Sequence, residues 1–210
     1  ITSPAAFEAA HNDQIRLFNT SISARADFVE IFLIDVNGII VASTRSDQEG
    51  KSFSFFDVFR QGLQAPSQTA PSYDFTAEQI TVQFARPVKD ITGETIGVLA
   101  ARATIRTLNE LMKARIGIGE TGETYLVSRN LILLSQTRLA GNVIGEDYSR
   151  TEGAEQAIFT QQPGVDTYLN YAGEPVIGSY RWIQSLQVAL LAEQTQSEDL
   201  ASVNLITTIT

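Results

Sequence analysis

Cysteine is absent from the 210 residues, and histidine, tryptophan and methionine occur once each. Without cysteine, neither a disulfide framework nor a thiolate metal site can form, and the redox compartment is left open. The lone His11 has no cluster of ligand-type residues around it in the sequence. It reads as a surface histidine, and Ser-His or Cys-His nucleophiles have almost nothing to build on. Positive charge is scarce as well: 15 Lys and Arg stand against 24 Asp and Glu, for a net charge of -9. That balance argues against nucleic acid and anionic membrane surfaces as partners, since both need a basic patch. No apolar run approaches the ~20 residues of a membrane-spanning helix. The chain starts at Ile1 and runs out in ASVNLITTIT, so it is read as a segment cut from a longer protein, from which flanking membrane helices could have been removed.

What is present is apolar content of 43%, enough for a real core. From Pro4 to Ala26, Ala6, Phe7, Ala10, Ile15, Phe18 and Ile22 recur at helical spacing and predict one long amphipathic helix. Phe28 to Asp35 is a strand, Asn37-Gly38 a hairpin turn, and Ile39 to Thr44 the returning strand. A short helix is expected in SFSFFDVFRQGLQ, whose Phe53, Phe55, Phe56 and Phe59 either pack on the sheet or wall a ligand cavity. Ser72 to Thr76 is a short strand. Ile80 to Thr104 is a hairpin that turns at Thr92-Gly93, and its second strand is almost wholly apolar or small until Arg102.

After a helix from Arg106 to Arg115 the pattern begins again. YLVSRNLILLSQ from Tyr125 lies on FLIDVNGIIVAS from Phe32 at an offset of 93, and YLNYAGEPVIGSYRWI from Tyr168 lies on YDFTAEQITVQFARPV from Tyr73 at an offset of 95. A helix over residues 153–161, a last strand from Val188 to Ala192 and a helical tail from Ser197 complete the second copy. The fold class is therefore α+β: a long helix, then two copies of a five-stranded antiparallel unit with helical cover.

FLIDVNGIIVAST, ARPVKDITGETIGVL, GETGETYLV and IGSYRWIQSLQVALLAEQ, in this order and on this repeat, resemble the double Cache family, the tandem PAS-like sensors of bacterial and archaeal receptors. The resemblance covers nearly the whole chain. It implies a helix over residues 1–26, a membrane-distal module over 27–105, a connecting helix over 106–114, a membrane-proximal module over 115–195, and residues 196–210 as a helix leading to a membrane span. It also implies an extracytoplasmic, non-enzymatic sensor that is membrane-anchored and homodimeric at full length. The output region would be a histidine kinase foremost, with cyclase and chemoreceptor regions as alternatives. Ligand would sit in the distal module, and no cofactor is expected. The family's amino-acid-binding members carry Arg-x-Trp-Tyr on the distal helix and an Asp on the last strand; this chain has Phe56-Asp57-Val58-Phe59 and Arg102.

A guanidinium binds carboxylate or phosphate through paired hydrogen bonds. Arg102 thus points to a small anionic organic ligand, possession of a structural ion pair being the plain alternative. The other candidates are Ser43, Arg45, Phe56, Phe59, Tyr73 and Gln83, each with an equally ordinary packing or surface explanation. Arg86 recurs as Arg181 and is assigned to the shared fold. A partner-binding or dimerisation module, its cavity filled by its own phenylalanines, is the opposing reading; a carboxylate hydrolase is a third. GIGETG, Gly117 to Gly122, matches GxGxxG but has a helix before it and a strand after, the reverse of the dinucleotide-binding order. Glu120 and Glu123 flank a turn and are read as solvated, like Glu152 and Glu155.

Overall fold

The computed structural model describes residues 3–75, 77–113, 118–138 and 141–198. The chain divides into two compact units, Ile1–Thr69 with Thr81–Thr104 and Ala70–Ile80 with Ile105–Thr210.

In the first unit, α1 (Pro4–Ser23) is opened by Ser3, whose hydroxyl accepts the Ala6 N–H at 3.3 Å, and by Pro4, whose missing N–H costs nothing in a first turn. It lies against β1 (Phe28–Asp35) and β2 (Ile40–Ser43) and buries Phe18. The hairpin turn is built by Asp35, whose Oδ1 accepts the N–H groups of Asn37 at 2.9 Å and Ile39 at 2.8 Å. Gly38 supplies the left-handed step, at φ +85°. After α2 (Asp57–Gly62) come β3 (Ser67–Gln68), β4 (Ser72–Asp74, in the segment grouped with the second unit), β5 (Gln79–Lys89) and β6 (Thr95–Thr104). The sheet runs β2-β1-β6-β5-β3, with β4 paired to β5. Phe32, Ile34, Val98 and Ala100 form one face of it and are buried beneath Phe53, Val58 and Phe59.

The second unit contains α3 (Arg106–Lys113), β7 (Glu123–Ser128), α4 (Glu152–Thr160), β8 (Gly164–Leu169), β9 (Pro175–Ile183) and β10 (Val188–Thr195). Its sheet is ordered β7-β10-β9-β8, and α4 lies against β8, β9 and β10. Tyr125, Val127, Leu133, Ala157, Trp182 and Leu191 belong to its core.

The α+β class and the antiparallel sheets match the sequence expectation, but the strand counts differ. Among the described residues the sheets have six and four strands where five and five were expected. In the second copy Leu131, at φ +64°, stands where the first has Gly38. The residues after it form only the isolated bridges Val127↔Leu133 and Ile132↔Tyr148 in place of a returning strand. In the first copy the loop after α2 instead contributes the short β3. Of the expected helical tail over 196–210, residues 196–198 are helical and the rest lies outside the described residues, as do Thr76 and residues 114–117.

Candidate functional site

In an antiparallel sheet, residues paired across strands point to the same face. Glu30 pairs with Arg102 and Arg102 with Gln83, so the three form one row across β1, β6 and β5. Ser43 pairs with Phe32, the next position on that face. The sequence-selected residues Ser43, Gln83 and Arg102 are therefore brought together, on the face that also carries the core. Glu30, which sequence reasoning passed over, lies at their centre.

Glu30 is 1% exposed. Arg102 Nη1 donates to its Oε2 at 2.6 Å, and the Ser43 hydroxyl donates to its Oε1 at 2.9 Å. The ion pair that the sequence left as the alternative for Arg102 is thus formed. Side-chain exposures of 11% and 2% place it where water screens little. Gln83 Oε1 is buried and has no hydrogen-bond partner among the described residues. A signal for Glu30 was available: in FVEIFLID it shares the alternating phase of Phe32 and Ile34, so a strand that buries those side chains buries the carboxylate too.

The remaining candidates lie elsewhere. Phe59 is part of the core, whereas Phe56 is half-exposed and stacks on Phe53 at 4.2 Å. The Arg45 side chain pairs with Asp47 at 3.1 Å, and only its backbone N–H reaches the Ser43 hydroxyl, at 3.0 Å. Tyr73 belongs to the segment grouped with the second unit and packs edge-on against Phe75 at 5.2 Å.

His11 is not an isolated surface residue. Its Nε2 lies 3.1 Å from Glu49 Oε1, and that same oxygen accepts the Ser43 N–H at 2.9 Å. A polar chain therefore runs from Arg102 through Glu30, Ser43 and Glu49 to α1. On the opposite face of the sheet lies a groove of about 730 Å³, lined by Phe28, Ile31, Phe84, Leu99 and Ala101 with Arg86 among them. Arg86 and Arg181 are both exposed, and neither forms an ion pair with another described residue.

In the second unit the reading of Glu123 is corrected, and the glycine-rich stretch is seen to have a partner within the chain. Glu123 is not solvated but 6% exposed, because it shares the buried phase of Tyr125 and Val127 on β7. The loop of the glycine-rich stretch does cradle an anion, and the anion is the chain's own. The N–H groups of Glu120 and Thr121 each donate to the Glu198 carboxylate at 2.8 Å, and the Thr121 hydroxyl donates to it as well. These donors, the hydroxyl foremost, hold the Glu198 carboxyl down at about 2.

No curated protein matches the chain. Among solved structures, the Vibrio cholerae histidine kinase DctB sensor domain is 15% identical with a TM-score of 0.62, covering 90% of this chain and 81% of its own. The ligand-binding domain of the Pseudomonas aeruginosa PAO1 amino acid chemoreceptor PctC, in complex with GABA, is 18% identical with a TM-score of 0.60, covering 85% and 78%. The ligand-binding domain of the Campylobacter jejuni chemoreceptor Tlp3, in complex with 4-methylisoleucine, is 14% identical with a TM-score of 0.67, covering 90% and 73%. At such identities these structures establish a shared fold. The Cache domain model matches residues 4–203, and with nearly the full length accounted for, the chain belongs to the double Cache family.

Proposed function

We propose that the chain is the extracytoplasmic ligand-sensing domain of a transmembrane signal-transduction receptor, and that its first unit binds a small organic carboxylate beside Glu30, Ser43, Gln83 and Arg102. The observation that carries this reading is a buried polar row in an otherwise apolar core face, with Gln83 Oε1 unsatisfied among the described residues. A buried acceptor without a donor costs about 1–3 kcal/mol, a cost that a ligand N–H or O–H would remove.

The charge of the row limits the ligand. Arg102 is neutralised by Glu30, so a simple anion that captured the guanidinium would leave a carboxylate buried and unpaired. A carboxylate that also carries an ammonium group satisfies both residues. GABA, bound by the PctC domain, and 4-methylisoleucine, bound by the Tlp3 domain, are molecules of that kind. Ligand binding shifts a receptor only through its differential affinity for two states. The polar chain from Glu30 through Ser43 and Glu49 to His11 gives α1 a direct stake in that difference. In the full-length receptor α1 would enter from one membrane span, two copies would associate, and the output would be a histidine kinase foremost.

Thermal unfolding against a panel of carboxylates, amino acids, amines and nucleobases tests the proposal, since a ligand at ~100 times its Kd adds about 2.7 kcal/mol to the native state. An amino acid or organic acid that raises the transition of the native chain, but not that of Gln83→Leu, supports it. If no compound shifts the transition, the partner-binding module is the better reading. Phe53 and Phe59, both buried against this face, already favour a self-filled cavity in that case.

A further inference from the structure

In the second unit Glu123 of β7 stands directly opposite Glu193 of β10. Both are buried, at 6% and 3% exposure, and among the described residues neither has a lysine or arginine side chain as a partner. Their donors are neutral. The hydroxyls of Tyr125 and Tyr168 both reach Glu193 Oε1, at 2.6 and 2.9 Å. Glu123 receives the Tyr171 hydroxyl at 2.8 Å and the Arg138 backbone N–H at 2.7 Å. Glu193 Oε2 is buried and has no partner among the described residues.

Two carboxylates facing each other in a low-dielectric interior cannot both stay ionised without a cation. The surroundings leave little room for an organic one. The Tyr168 hydroxyl occupies the space over Gly153 and Gly178, where even an added Cβ would collide with it, and Tyr125 is fully buried. The cation that fits is the smallest. We propose that the Glu123–Glu193 pair is a proton-binding site, occupied on Glu193 Oε2, through which the second unit responds to the acidity of the medium.

The groups around the pair agree with this assignment. On β7 and β8 they are Glu123, Tyr125, Tyr168 and Asp166; on β9 Tyr180, whose hydroxyl is held by Asp166 at 2.6 Å; and on α4 Glu152, whose charge acts on Tyr180. Arg138 directs its guanidinium to Glu174 at 3.4 Å. Among the described residues none of these groups forms an ion pair with either carboxylate. Burial, reinforced by the charge of Glu123, raises the Glu193 carboxyl to about 7 against the pull of its two tyrosine hydrogen bonds. The same burial and the Glu193 charge push the Tyr125 and Tyr168 hydroxyls upward, so both remain donors.

Infrared titration of the whole chain, following the carbonyl band of protonated carboxylic acid, tests the site. The expected result is a band that persists to near-neutral pH in the native protein and is missing in Glu193→Gln, which mimics the protonated acid in shape. Glu123→Gln should move its midpoint down by ~1 pH unit or more, a tenfold loss of proton affinity. A native protein whose carboxylic band vanishes entirely in the ordinary acid range would overturn the proposal. So would a near-neutral band left unchanged in both variants.

Discussion

Arg102 and Glu193 hold the same place in the two units, each facing the glutamate that the repeat superposes: Glu30 in the first, Glu123, 93 residues later, in the second. One row is an ion pair of opposite charges and the other a pair of acids. A single fold thus carries two electrostatically opposite answers to one buried position. Their contrasting environments lead to measurable differences.

Removing the guanidinium should be costly. Arg102→Ala strands a buried Glu30 with the Ser43 hydroxyl as its remaining side-chain donor in the row, and destabilisation of about 3–5 kcal/mol is expected by urea unfolding. The pair Glu30→Gln with Arg102→Met, which removes both charges, should recover most of that loss. Equal destabilisation by the single and double variants would show that the charge left behind is not what costs.

Stability should fall as the pH rises toward neutrality. Glu193 has a carboxyl raised from 4.5 to about 7 in the folded state, so between those values the native state holds a proton that the unfolded chain has released. The contribution is fully present below about 4.5 and is lost as the pH climbs through about 7. At ~1.4 kcal/mol per pH unit it amounts to about 3 kcal/mol. The difference between the native chain and Glu193→Gln, followed by chemical denaturation from acid to neutral pH, should trace this fall.

Two turn glycines should respond unequally to alanine. Gly38 and Gly93 have nearly the same backbone, at φ +85° and +89°. A Cβ at Gly38 would lie 2.6 Å from the Ser54 Cβ, whereas at Gly93 it meets nothing within 4 Å. Gly93→Ala should cost about 1–2 kcal/mol for the left-handed backbone alone, and Gly38→Ala measurably more, read as the gap between their melting temperatures.

The phenylalanine cluster should divide by position. Phe59→Ala removes a ring buried among Phe32, Val58 and Val98 and should destabilise by about 3–5 kcal/mol. Phe55, 82% exposed, should change stability by no more than about 0.5 kcal/mol as Phe55→Ala. Parallel thermal melts check both.

The hairpins were legible because their signals are local. Asn37-Gly38 and Thr92-Gly93 each need only a glycine and a nearby side-chain acceptor, Asp35 or Asp90, to close the turn. The repeat was legible for the same reason. The missing strand in the second copy was not: Gly38 and Leu131 both take a left-handed backbone angle at the matching turn, yet only the first turn is followed by a strand, the second leading to the isolated bridges Val127↔Leu133 and Ile132↔Tyr148. The candidate site was half legible. Arg102 stood out as a lone charge in an apolar strand, but its partner lies 72 residues away. Glu30, Glu123 and Glu193 share one signature, an acid on the apolar phase of a strand, and composition alone hides it among 24 acidic residues.

The carboxylate of Glu198, held by the amides of Glu120 and Thr121, makes the end of β10 a two-point mooring. Thr121 and Thr195 are also joined hydroxyl to hydroxyl at 3.0 Å. Tension applied along the chain beyond Glu198 is therefore shared between β10 and the loop that feeds β7, neighbouring strands of one sheet. Fraying of β10 at this end would have to break the Glu198 and Thr195 contacts as well as the ladder bonds to β7. The last strand of the second unit is thus tied down at its end by side chains as well as by its backbone ladder.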